Sequence, residues 1–173
     1  MANERPLMTG LFPDRDSAEK GYNALSERGY SKDDVNVVMS EDTKKSHFTA
    51  SGAETELGNK AAEGAGVGGA IGGTLGAIAA AVAAVGTTIA LPGLGLVIAG
   101  PLAAAIAGAG AGAATGGIVG ALVGWNIPEE RVKKYDEGIR KGGILMGVRP
   151  KNDADAAHLE SAWKTNRAQD IYR

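Results

Sequence analysis

The side chains of this 173-residue chain that are of types able to perform chemistry do not converge by spacing. The two histidines, His47 and His158, have no second ligand at metal-binding spacing, so both read as solvated surface residues. There is no cysteine, which excludes a disulfide framework, a thiolate metal site and a catalytic thiol. Asp14, Arg15 and Asp16 form a charged triplet, but turn and helix-capping duties account for them. Gly64, Gly66 and Gly69 match the Gly-x-Gly-x-x-Gly pattern of phosphate-binding loops. No strand precedes that match and no lysine follows it, so it reads as a by-product of local glycine content. Tyr135 and Trp163 sit at core spacing on helical patterns and read as packing residues. No catalytic, cofactor-binding or metal-binding residue is expected, and the chain reads as a non-enzyme.

The composition accounts for part of this. No Asp, Glu, Lys, Arg or His lies between Glu63 and Glu129, and 18 of the 27 glycines fall within residues 64–124. All eight aromatic residues lie outside that stretch. The mean hydropathy of −0.07 is therefore the average of two unlike parts. Residues 1–63 carry twelve acidic and eight basic side chains, and residues 125–173 carry eight acidic and ten basic. The overall net charge of −2 argues against general nucleic-acid binding. The polar start Met1-Ala2-Asn3-Glu4-Arg5-Pro6 does not read as a secretory signal, which points to a cytoplasmic first segment.

The elements that must position any site can be read from periodicity. Residues 1–40 read as a first β-α-β half. It has a strand over 6–12, a turn at Pro13 to Asp16 with Asp16 and Glu19 as a capping pair, and a helix burying Ala18, Tyr22 and Leu25. Gly29 is placed for a left-handed helix end, followed by a strand at 35–39. Residues 41–63 are polar and aperiodic and read as a linker. Residues 125–173 read as a helix from Pro128 with Val132, Tyr135 and Ile139 inward, a strand at 144–148, a helix capped by Asp153 and a short last strand. Two β-α-β halves of this length predict an α+β, ferredoxin-like domain with a long insertion between the halves.

Within the insertion, Gly64, Gly68, Gly72 and Gly76 recur every four residues, as do Gly108, Gly112, Gly116, Gly120 and Gly124. On a helix this spacing aligns the glycines on one face, where a second backbone can approach closely. The segment 64–124 is thus expected to be an antiparallel glycine-zipper hairpin, with helices over roughly 64–90 and 97–124 broken at Pro92-Gly93-Leu94-Gly95. Each helix reaches the ~20 residues needed to span a bilayer. Trp125 and the basic residues Arg131, Lys133 and Lys134 then fall where a membrane interface would hold them, with both termini cytoplasmic. The same zippers can instead be buried between the subunits of a soluble cytoplasmic assembly.

The flanks resemble a known family. Leu11-Phe12-Pro13-Asp14-Arg15-Asp16-Ser17-Ala18-Glu19 is similar to the Phe-x-Asp-Arg-x-x-Ala-Glu opening of bacterial general stress protein 17M-like, or heat-induced stress protein, domains. Gly124-Trp125-Asn126-Ile127-Pro128-Glu129-Glu130, with Tyr135, Gly138 and Gly142-Gly143-Ile144-Leu145, resembles a second signature of that family. The resemblance covers about two thirds of the chain, and implies a ferredoxin-like fold and a stress-response context without a reaction. The expectation from sequence is a stress-associated protein that assembles with itself, at or in the cytoplasmic membrane or alternatively as a soluble scaffold. Its partner is a second copy of the chain, with lipid added in the membrane case and no nucleic acid, metal or cofactor.

Overall fold

The computed structural model describes residues 6–49, 78, 88–91, 95–104, 122 and 127–173. The first strand, β1 (Met8–Phe12), runs into helix α1 (Arg15–Glu27), whose N-cap is Asp14: its carboxylate accepts the Ser17 N–H at 2.8 Å. The cap expected at Asp16 therefore lies two residues earlier. The reason is geometric, since Asp14 has extended backbone and the helix has already begun at Arg15. α1 closes with a left-handed Gly29, the Tyr30 N–H returning to the Leu25 carbonyl and the Gly29 N–H to that of Ser26.

Strand β2 (Val35–Ser40) follows, then a short helix α2 (Glu41–Lys44) and a π-helical turn, Lys45–Thr49. The start of the region expected to be an aperiodic linker is thus helical. Ser40 nucleates it by accepting the Thr43 N–H on its hydroxyl at 3.0 Å. After the insertion come helix α3 (Glu129–Arg140), strand β5 (Ile144–Val148), helix α4 (Asp153–Thr165) and strand β6 (Gln169–Tyr172). α4 is capped by Asn152, which accepts the Asp155 N–H, and not by Asp153, which is already inside the first turn.

The centre of the insertion differs from the expected pair of helices. Thr88–Leu91 and Leu96–Ala99 are strands β3 and β4, paired with each other, and β4 pairs with β2 from Val37↔Ala99 to Ser40↔Leu96. The reason is visible in the residue types. Leu96-Val97-Ile98 is an apolar run with two β-branched residues, Val97 and Ile98, and it satisfies an edge of β2 that would otherwise stay unpaired. A short helical turn at 101–104 follows Gly100.

All strand pairings are antiparallel, in the order β3-β4-β2-β5-β1-β6. β5 lies between β1 and β2, so those two strands run in the same direction without touching. The α+β class is present as expected, with an antiparallel sheet. The sheet is covered on both faces. α1 and α4 bring Ala18, Tyr22, Leu25, Leu159 and Trp163 to one side, with Ile78 in the same cluster. α3 brings Val132, Tyr135 and Ile139 to the other, with Leu102 and Leu122. This is why β1 and β5 are buried at every position instead of alternating.

Packing is close around Trp163, which is fully buried. A Cβ at Gly10 would lie 2.8 Å from its ring, so only glycine leaves room for the indole there. Phe12 meets it edge-on, with centroids 5.4 Å apart, and its Nε1–H donates to the Gly21 carbonyl at 3.2 Å. Trp163→Ala should lower the unfolding free energy by about 3–5 kcal/mol, read from urea denaturation. A loss below about 1 kcal/mol would show that the indole is not the keystone of this layer.

Candidate functional site

The glycine ladders Gly64, Gly68, Gly72, Gly76 and Gly108, Gly112, Gly116, Gly120, Gly124 lie outside the described residues, as does Trp125. The three basic residues expected at an interface are all on α3, with different surroundings. The Arg131 guanidinium lies 4.9 Å from the centroid of the Tyr172 ring and donates to the Asp170 carbonyl at 3.3 Å. Lys134 pairs with the Asp170 carboxylate at 3.5 Å, while the Lys133 side chain is exposed. Arg131 and Lys134 thus hold β6 against α3. The exposed face of α3 reads Glu129, Glu130, Lys133, Lys134, Glu137, Arg140 and Lys141, with opposite charges four apart. It is a face of mixed sign rather than a basic patch.

Beneath it, Tyr135 donates its phenolic proton to the Asp170 carbonyl at 2.7 Å. That proton is then committed, so the buried Thr9 hydroxyl must donate to the Tyr135 oxygen, 2.9 Å away. Burial pushes the Tyr135 hydroxyl up from its ordinary pKa. A second polar cluster joins the end of α1 to the start of α4. Asp155, though buried, accepts from Arg28 at 2.8 Å, from the Tyr30 hydroxyl at 3.1 Å and from the Asn152 amide at 3.3 Å. The Tyr30 oxygen in turn accepts the Lys151 N–H at 2.8 Å. Every member of this cluster has a protein partner, which fits a clamp between helices rather than a reaction centre.

A third polar group is concave and open. The end of β2, α2 and the π-helical turn face the end of α3 across a cleft of about 570 Å³. Ser40, Asp42, Thr43, Ser46 and His47 line it from the first segment, Arg140, Lys141 and Gly142 from the end of α3, and Gly95 and Leu96 from the insertion. The insertion is tied in here by the Glu41 N–H, which donates to the Gly95 carbonyl at 2.7 Å. The volume is that of a small-molecule site. The sequence concealed it because its walls come from a segment that reads as linker and from a helix end that reads as solvated. Only the hydroxyl density at 40–46 gave a sign.

Among the described residues, no three His, Asp or Glu side chains gather as metal ligands, and no helix is long and apolar enough to cross a membrane. No family model, no curated protein and no solved structure matches the chain.

The two kinds of basic residue on α3 can be told apart. Arg131→Ala should cost about 1 kcal/mol through loss of its stacking on Tyr172 and should speed amide exchange in β6. Lys133→Ala should change stability by less than about 0.5 kcal/mol. Equal effects of the two would contradict the placement.

Proposed function

We propose that this chain is a non-enzymatic, stress-associated protein that assembles with itself, its glycine ladders packing between copies in a water-soluble scaffold. The domain that carries the ladders is read as ferredoxin-like. In support, β2-β5-β1-β6 is a four-stranded antiparallel order with β5 between the two same-direction strands, as a split β-α-β pair requires. The stress context rests on the resemblance of the flanking motifs, above all Phe12-Pro13-Asp14-Arg15 and Gly142-Gly143-Ile144-Leu145.

One observation favours the soluble form over the membrane form. The insertion touches the domain at several points along its length. Ile78 is buried in the α1 face, with its N–H donating to a Glu19 carboxylate oxygen at 3.0 Å. β3 and β4 extend the sheet, and Leu122 is buried against the α3 face. A segment with both ends on the same domain must cross a bilayer an even number of times, and two crossings need about 40 residues. The longest intervals between docked points run over 50–77 and 105–121, both shorter than that. Tight protein packing is accordingly the environment we propose for removing the competing conformations of the charge-free ladders.

Sizing of native protein with and without detergent tests this. A large particle in the soluble fraction without detergent is expected. Gly112→Leu with Gly116→Leu should shift it towards monomer by light scattering, because two isobutyl groups would hold the backbones apart. Recovery only with detergent would instead favour a membrane hairpin, with Trp125, Arg131, Lys133 and Lys134 at its interface. An unchanged particle size in the double variant would overturn the zipper mechanism itself.

A further inference from the structure

The cleft between α2 and the end of α3 carries a function that self-assembly does not use. We infer that it is a binding site for a small phosphorylated molecule. The observation is the meeting of two kinds of donor. From one side come the hydroxyls of Ser40, Thr43 and Ser46 and the imidazole of His47; from the other come Arg140 and Lys141. These groups belong to segments about 100 residues apart in sequence. Their convergence on one space is a property of the fold and not of local composition.

The state of each group fits an anion. Arg140 is held by Asp136, which takes its Nε–H on both carboxylate oxygens at 3.0 Å. That fixes the plane of the guanidinium while the N–H groups of its two terminal nitrogens stay available, the arrangement that recognises phosphate by a fork. Lys141 is exposed at the C-cap of α3, and its ammonium adds a second positive charge beside the first. Ser40 and Thr43 share a hydrogen bond of 2.8 Å, and the Ser40 oxygen also accepts the Thr43 N–H, so one of their two hydroxyl protons is spent and the pair offers a ligand one donor beside that of Ser46. Asp42 stands in the same lining and is the one carboxylate there. It disfavours a bare polyanion and suits a ligand that brings hydroxyl groups with its phosphate, since a carboxylate accepts from hydroxyls. A phosphorylated polyol or sugar meets both requirements, and so does the headgroup of an anionic phospholipid. The shared chemistry is a phosphate ester beside hydroxyls.

The site also bridges two parts of the chain. Gly95 and Leu96 belong to the insertion, whereas Arg140 and Lys141 belong to the domain. A phosphate held across them strengthens the docking of the β3–β4 hairpin without adding a protein contact.

Isothermal titration of the full-length protein with glucose 6-phosphate, with glucose as the control, tests the proposal. Sedimentation with phosphatidylglycerol and phosphatidylcholine vesicles forms a second arm. Saturable binding of the phosphate ester and not of glucose is expected, weakened about tenfold by Lys141→Gln or Arg140→Gln. Lys20→Gln, on the exposed side of α1, should leave it unchanged. Binding to phosphatidylglycerol vesicles alone, with the same dependence on Lys141 and Arg140, assigns the site to a lipid headgroup and also supports it. Absence of saturable binding in both arms overturns the site, as does binding that all three variants weaken equally or leave untouched. Particle size is independent of either result, so failure here is distinct from failure of self-assembly.

Discussion

The Trp163 indole is the contact on which one whole layer of the molecule depends. It fills the space that Gly10 leaves in β1, meets Phe12 edge-on and reaches the backbone of α1 at Gly21 through its single N–H. A Cβ at Gly21 would lie 2.5 Å from the Phe12 ring, so the same two glycines that weaken strand and helix locally permit the close approach. One aromatic side chain thereby fixes α4 against both α1 and the sheet. The Arg28–Asp155–Tyr30 cluster then sets the angle between those helices at their other end. Apolar burial provides most of the attraction in this layer, and the polar cluster provides its register.

The other face is built on different terms. α3 has no side-chain cap, and Pro128 takes the N-cap position with the first-turn acids Glu129 and Glu130 next to it. It is held by Val132, Tyr135 and Ile139, and by the close approach of Leu11 to Gly138, where a Cβ would lie 2.1 Å from a Leu11 methyl. With both faces covered, the sheet has no solvent side, and a charged residue in β1 or β5 has nowhere to go. Those strands accordingly contain none. Solvent meets the outer faces of the helices, among them the mixed-charge face of α3, and the cleft at its end.

Much of this architecture was legible in the residues themselves. The helical faces of α1, α3 and α4 follow from spacing, and the helix ends follow from Gly29 and Gly142, both with positive φ. α4 ends the same way at Arg167, with φ of 65°, and nothing in the residue type announces it. The caps were displaced by one or two positions because several Asp and Asn residues compete near each start, and only the backbone decides between them. The β3–β4 hairpin was hidden for a more general reason. Four-residue glycine spacing on either side suggests continuous helix, while the demand of β2 for a partner is a tertiary effect that no local pattern encodes. The cleft was hidden likewise, since its walls are joined only by folding.

The order of strands has a consequence for how the chain is made. β1 and β2 emerge early from synthesis, yet neither pairs with the other; both hydrogen-bond to β5, which begins at Ile144. Until the last fifth of the chain has appeared, the first two strands lack their shared central partner. The insertion is therefore synthesised before the strand that joins β1 to β2. Such long-range pairings are slow to form, so the sheet around β1 and β2 closes late. The domain's closure thus comes late in synthesis, and the first two strands wait longest for their central partner.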